Sequence, residues 1–151
     1  IANHVVPDED TSKIQSRIQW TISRGYLTKD DLTILDILSA CRWDRPIYFA
    51  ISCSPSHMLG LQNYFVQEGM AYRFTPVLHD PNPRKPRNYP GGVNTKLMYD
   101  NMMNKFGYGN VDKAKSIYLD NNIMGMMWNL RYNFTVLADA LLDEGKPGDS
   151  V

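Results

Sequence analysis

The stretch from Thr28 to Cys53 constrains the fold of this chain most, because its pattern indicates a capped amphipathic helix that leads directly into a strand. Thr28 is a typical N-cap residue, and Asp30 and Asp31 fall in the first helical turn. Carboxylates there interact favourably with the free backbone N–H groups and with the helix dipole. The apolar residues that follow share one broad face: Leu32, Ile34, Leu35, Ile37, Leu38 and Cys41. This breadth predicts that the helix packs on a large apolar surface.

A strand is predicted directly after this helix. Pro46 biases Arg45 towards an extended conformation, so the helix must end before it. Residues Ile47 to Ile51 are apolar on both faces and rich in β-branched and aromatic side chains. That pattern is typical of a central strand covered on both sides, and we place the strand over Ile47 to Cys53.

A helix and a second strand are predicted to follow. Ser54 suits an N-cap, Pro55 suits the first helical position and Gly69 suits a C-cap, which predicts a helix over Pro55 to Glu68. Residues Met70 to Val77 alternate between two faces, which indicates a strand. Two strands joined by a helix over about 30 residues form a βαβ unit. The sequence therefore predicts an α/β fold with a small, partly parallel sheet.

The residues before Thr28 give a weaker pattern. From Ile18 to Ile22 apolar and polar residues alternate, which favours a strand, although Ile14, Ile18 and Ile22 also share a helical face. We predict the strand and assign no structure to residues 1–6.

The last third of the chain is predicted to be helical. Asn94 can cap a helix through Phe106, and Asp120 or Asn121 can cap a long helix that stops at Gly145. The long helix has one apolar face: Ile123, Met127, Leu130, Phe134, Leu137 and Leu141. Such a face requires an apolar partner.

These elements suggest a division of the chain. We predict an α/β domain over residues 1–92 and a helical segment over residues 93–151 that packs on it as one compact unit. A length of 151 residues suits such a unit.

Composition argues against several classes of partner. Sixteen basic and sixteen acidic residues give a formal net charge of zero, so no overall field recruits nucleic acid or anionic lipid. The longest stretch without Asp, Glu, Lys or Arg, Pro46 to Gln67, contains prolines, serines and amides and does not predict a membrane span. We expect a soluble piece with no nucleic-acid partner. Since the chain begins at Ile1, we expect either a processed product or an excerpt of a longer protein, and we favour the excerpt.

The sequence contains no recognisable catalytic or metal-binding motif. His4, His57 and His79 lie in different segments, and none is spaced with a carboxylate as a metal site requires. Cys41 and Cys53 flank the predicted strand, which separates them by roughly 20 Å, too far for a disulfide. The acidic residues fall at helix starts or in turns, where capping and solvation account for them. We therefore predict no catalytic residue, no metal ligand and no cofactor.

Two features are candidates for contact with a partner. The segment His79 to Gly92 holds four prolines, two glycines and the cations Arg84, Lys85 and Arg87, and it is predicted to be an exposed loop. Such cations are most often solvated, although they could meet a phosphate or an acidic partner. With the apolar face of the last helix they give the candidate docking residues: Arg84, Lys85, Arg87, Met127, Leu130, Phe134 and Leu137.

Two segments carry a family resemblance most specifically, Trp43 to Ala50 (WDRPIYFA) and Leu97 to Phe106 (LMYDNMMNKF). With their neighbours, over about Val5 to Gly145, they resemble the C-terminal soluble region of large bacterial multi-pass membrane proteins. That family is similar to the protein O-mannosyltransferases, which use a lipid-linked sugar donor.

The resemblance implies a role for the chain. It implies a non-catalytic accessory or docking domain on the extracytoplasmic, periplasmic face of the bacterial inner membrane. Its partners would be the membrane-embedded half of the parent chain, where the catalytic carboxylate is expected, and following helical repeats, since the last helix would begin a tetratricopeptide-like array. The alternatives are a free-standing α/β domain that binds a small molecule or carbohydrate and, third, an enzyme in its own right.

Overall fold

The computed structural model describes residues 6, 8–79, 91–109, 111–113 and 115–145. The loop cations Arg84, Lys85 and Arg87 lie outside these residues. The α-helices and strands are α1 Lys29–Ala40, β1 Tyr48–Ala50, β2 Phe65–Gln67, β3 Ala71–Phe74, β4 Gly92–Val93, α2 Thr95–Tyr99 and α3 Asn121–Asp143. The 3-10 helices are Asp8–Lys13, Pro55–Met58, Gln62–Tyr64 and Val111–Lys113, and a π-helix covers Asp100–Lys105.

Helix α1 begins where the sequence predicts. The hydroxyl of Thr28 accepts a hydrogen bond from the backbone N–H of Asp31 at 3.3 Å, and Asp31 Oδ2 accepts from the backbone N–H of Thr28 at 2.7 Å. This reciprocal capping box satisfies two N–H groups that the helix itself leaves free. The predicted apolar face is only partly covered, however, because Leu32 and Ile37 are exposed while Leu38 packs on the core.

The fold class is confirmed: a mixed α/β structure with a four-stranded, partly parallel sheet and a C-terminal helix. The strand order is β1-β3-β2-β4, with β3 paired antiparallel to both β1 and β2. The tetratricopeptide-like continuation of α3 stays a prediction.

The predicted βαβ unit is wrong, because β1 and β3 run antiparallel, with Phe49 opposite Tyr72. Ser54 does cap a helix through Ser56 N–H, but that helix is a short 3-10 turn that ends at Leu59. Leu59 and Gly60 have φ values of 55° and 86°, and a right-handed helix cannot continue through left-handed residues. The chain therefore reaches β2 by a short connection instead of crossing the sheet as a helix.

The expectation of a central strand over Ile47 to Cys53 is also wrong. Strand β1 is shorter and lies at the edge of the sheet, where Tyr48 is exposed and only Phe49 packs on the core. The chain turns immediately afterwards, since Cys53 N–H donates to the Ala50 carbonyl at 2.9 Å. Tyr48 and Ala50, which share one face of the strand, are exposed, so the apolar run is not covered on both faces.

The predicted strand over Ile18 to Ile22 is absent from the structure. Instead of a ladder, the hydroxyl of Tyr64 holds this segment: it donates to the Gln19 carbonyl at 3.2 Å and accepts from Gln19 N–H at 3.4 Å. Ile18 packs on the core, whereas Trp20 is partly exposed. Side-chain anchoring replaces the strand pairing that the alternation suggested.

The described contacts divide the chain into two compact units, Ile1–Gln67 with Ala71–Gly92, and Glu68–Met70 with Val93–Val151. The core of the first unit is aromatic, with Phe65 and Phe74 ring centroids 5.6 Å apart and Phe49 edge-on to Phe65 at 4.8 Å. Its buried members are Met58, Leu61, Tyr64, Phe65, Tyr72 and Phe74. That the helical segment packs on residues 1–92 as one compact unit stays a prediction.

The second unit is built from helices that start as predicted. Asn94 caps α2 by accepting from Leu97 N–H at 3.0 Å, and the helix continues as a π-helix to Lys105. Asp120 caps α3 by accepting from Ile123 N–H at 2.8 Å. The buried core joins the two helical segments: Met98, Met102, Leu137 and Leu141.

Candidate docking surface

The predicted docking residues of α3 differ in how much of each side chain is exposed to solvent. Leu137 is fully buried, with 0% of its surface exposed, and belongs to the core of the second unit. Phe134 packs partly against that core, with its ring centroid 6.1 Å from that of Tyr108. Met127 and Leu130 are half-buried. Their docking role stays a prediction, and Leu137 can contribute to it only through the stability of the helix.

The structure exposes a second apolar face of α3 that the sequence reasoning missed. Met124, Trp128 and Tyr132 recur every four residues and therefore share one face. They are 47%, 66% and 52% exposed. Trp128 and Leu137 are about two and a half turns apart, so they lie on opposite sides of the helix. We call Met124, Gly125, Trp128 and Tyr132 the outer face of α3.

One sequence signal could have found this face. Residues 121–130 contain no charged side chain, and Arg131 is the first charge after Asp120. A solvent-facing helix normally carries charge on its outer side, and an apolar helix all round is normally covered. The guanidinium of Arg131 lies 5.5 Å from the centroid of the Trp128 ring, which adds a cation–π contact at the edge of the outer face.

The first unit contains a cleft that the sequence did not predict. Its volume is about 430 Å³, and Arg24 lies in its wall. Arg24 Nη2 pairs with Asp31 Oδ1 at 2.5 Å, and Asp31 is only 1% exposed. The cleft is lined by Ile22, Ser23, Arg24, Pro55, Ser56, Leu59, Gly60 and Gln62.

The positive charge of Arg24 in the wall of this cleft is balanced by the carboxylate of Asp31. Hydrogen bonds from the backbone N–H and the hydroxyl of Thr28, together with Arg24, hold the pKa of Asp31 below its ordinary value. Asp31 is therefore ionised near neutral pH and balances the charge of Arg24. The cleft can offer hydrogen bonds to a small polar ligand, and the Asp31 carboxylate that pairs with Arg24 is engaged in capping.

Other described carboxylates are also held in local contacts. Asp100 pairs with Lys105 at 2.6 Å and accepts from Asn104 at 3.1 Å, and these contacts lower its pKa. Asp10 pairs with Lys13 at 2.6 Å. Among the described residues, no group of three or more His, Cys, Asp and Glu side chains is placed to hold a metal ion. Within the same parts of the chain, no helix combines the length and apolar composition that crossing a bilayer requires.

Comparison with known families identifies the chain. Residues 1–97 match the family described as TMEM260-associated domain 2. The chain belongs to this family. The match contains α1 and the sheet and ends within α2, so the outer face of α3 lies beyond it. No match was found among curated proteins or among solved structures.

Proposed function

We propose that this chain is a non-catalytic accessory domain of a multi-pass membrane protein similar to the protein O-mannosyltransferases. It lies on the extracytoplasmic, periplasmic face of a bacterial inner membrane and acts by docking and positioning. The observation that carries this proposal is the family match over residues 1–97, whose description names a domain associated with TMEM260.

The contacts of the acidic residues support a non-catalytic role. A sugar transferase needs a carboxylate or comparable base beside both acceptor and donor. Asp31 and Asp120 are engaged in helix caps, and Asp100 is paired with Lys105. These groups are held by contacts that stabilise the fold, so catalysis is assigned to the membrane-embedded half of the parent chain.

The surface of α3 supports docking. Protein interfaces are enriched in Trp, Tyr, Met and Arg and depleted in Lys, Glu and Asp. The half-buried Met127 and Leu130, with Phe134, offer an apolar strip to the membrane-embedded half or to following helices, and the cations of residues 84–87 offer charge.

A second function has one observation in its favour. The cleft of about 430 Å³ beside Arg24 falls within the range of small-molecule sites, which is about 300–1,000 Å³. Ser23, Ser56 and Gln62 in its wall are suited to hydroxyl-rich ligands such as carbohydrates. The alternative is therefore a free-standing domain that binds a small molecule or carbohydrate.

The proposal is tested in the full-length parent protein. Reversing the charge of Arg84, Lys85 and Arg87, or replacing Leu130 and Phe134 by polar residues, should reduce assembly with the membrane half and the yield of modified acceptor. Charge reversal at the exposed Lys29 and replacement of the exposed Leu142 by Ser serve as matched controls and should have little effect.

Two results would contradict the proposal. If deletion of the domain leaves assembly and product yield unchanged, docking is not its function. If the isolated chain transfers sugar from a polyprenyl-linked donor to a peptide, the non-catalytic assignment is wrong. Saturable binding of a free sugar, lost on replacing Gln62 by Ala, would instead favour the alternative.

A further inference from the structure

The outer face of α3 presents apolar surface to solvent. Trp128 and Tyr132 are more than half exposed, and they lie opposite the buried Leu137. Aromatic side chains of this size are anchors of protein interfaces when a partner covers them.

Gly125 forms a recess on this face. In the part of the chain that the structure describes, a Cβ atom built at Gly125 would meet no atom within 4 Å beyond its chain neighbours and its own helix backbone, so the packing seen there does not require glycine. Glycine inside a helix is less stable than alanine because it loses more backbone freedom on folding. A helix that approaches closely from outside would benefit from the missing side chain.

The recess at Gly125 and the protruding side chain of Trp128 are complementary in shape. Gly125 and Trp128 are three residues apart, so they lie about one turn apart on the same side of α3. In a twofold pair, residue i of one copy contacts residue j of the other, and j contacts i in return. We propose that the outer face binds a second copy of this chain, with the two α3 helices antiparallel and each Trp128 seated over Gly125 of the other copy.

Charge favours the same arrangement. No charged side chain lies between Asp120 and Arg131, so the twofold axis places no like charges against each other within the face. An antiparallel pair brings Arg131 of one copy towards Asp120 of the other, where the charges attract. A parallel pair would align each of these charges with its own kind.

The exposed apolar area of the outer face determines the affinity that we expect for the dimer. Met124, Trp128 and Tyr132, at about 150–250 Å² per large side chain and their observed exposure, supply roughly 250–400 Å² per copy. With its polar rim, a contact of this area belongs to the class of small interfaces, which bury less than about 1,200 Å² in total. We therefore expect a weak dimer whose population rises with protein concentration.

The test is sedimentation velocity of the 151-residue chain over a concentration series in the micromolar range and above. The wild type should shift from monomer to dimer as concentration rises. Replacing Trp128 by Ala should weaken the dimer about thirty-fold or more, as for a central interface residue. Gly125→Leu should also abolish the dimer by filling the recess, and it should not lower the Tm, because leucine is a better helix former.

The control is Leu142→Ala, which removes a side chain 53% exposed on the same helix but outside the outer face, and it should leave the dimer unchanged. The proposal is overturned if the chain stays monomeric at every concentration or if Gly125→Leu dimerises like the wild type. It is also overturned if Trp128 mediates binding to phosphatidylcholine vesicles without self-association. The isolated chain is measured here, so failure of docking to the parent would leave this result unaffected.

Discussion

Replacing Leu137 by alanine tests whether this residue stabilises the core or docks a partner. The side chain is fully buried among Met98, Met102 and Leu141. Leucine to alanine removes three carbon atoms, worth about 0.8 kcal/mol each in transfer free energy. The cavity that remains raises the expected loss to about 2.7–5 kcal/mol. Leu142→Ala, on the same helix but 53% exposed, should cost about 1 kcal/mol or less.

The two variants are compared by urea unfolding, followed by circular dichroism of the isolated chain. With a slope of about 1–3 kcal/mol per molar urea, the loss at Leu137 should lower the midpoint by about 1 M or more. The shift at Leu142 should be a fraction of that. If both variants unfold like the wild type while Leu137→Ala abolishes assembly with the parent's membrane half, Leu137 is a docking residue and the core assignment fails.

Three further predictions concern a carboxylate, a glycine and the cysteines. Hydrogen bonds at the helix cap hold the folded-state pKa of Asp31 below 3.8, so this carboxylate contributes stability above pH 3.8 that is lost as pH falls through the folded value. Between about pH 5 and pH 3, the urea midpoint of the Asp31→Asn variant should therefore fall by less than the urea midpoint of the wild type. An equal fall would refute the assignment. Gly60 has φ 86°, and a Cβ there would lie 2.9 Å from a backbone carbonyl oxygen. Gly60→Ala should therefore cost at least about 1–2 kcal/mol in unfolding free energy, whereas Gly25→Ala, with open space around it, should be near neutral; equal effects would count against this account. Cys41 and Cys53 are free, so alkylation of the denatured chain without reductant should add two adducts in the intact mass, and no adduct would indicate a disulfide.

Local hydrogen bonding explains what the sequence predicted correctly. Thr28, Asn94 and Asp120 cap the three α-helices as expected, because a cap involves only residues within one turn. The alternation in β3 was also correct, since Tyr72 and Phe74 are buried on one face. Each of these features depends on neighbours along the chain.

The candidate surfaces were only partly predictable. The spacing of Leu137 and Leu141 correctly indicated an apolar stripe, but it could not tell which residues of α3 the core covers. The exposure of Trp128 depends on where α2 ends and on how much of the surface of α3 is covered by α2. The cleft beside Arg24 joins segments more than thirty residues apart, which no local pattern marks.

Sequence by itself determined the helix starts, the two-faced pattern of β3 and the absence of net charge, because these follow from short-range hydrogen bonds, side-chain periodicity and composition. Only the tertiary structure decided that β1 is an edge strand antiparallel to β3 and that the helix after Ser54 stops at Leu59. Strand pairing depends on contacts between residues distant in the chain, and the same apolar run fits a central or an edge position. The left-handed turn at Leu59 and Gly60 opposes a local helical signal, and it lies between Met58 and Leu61, which are both buried in the core of the first unit.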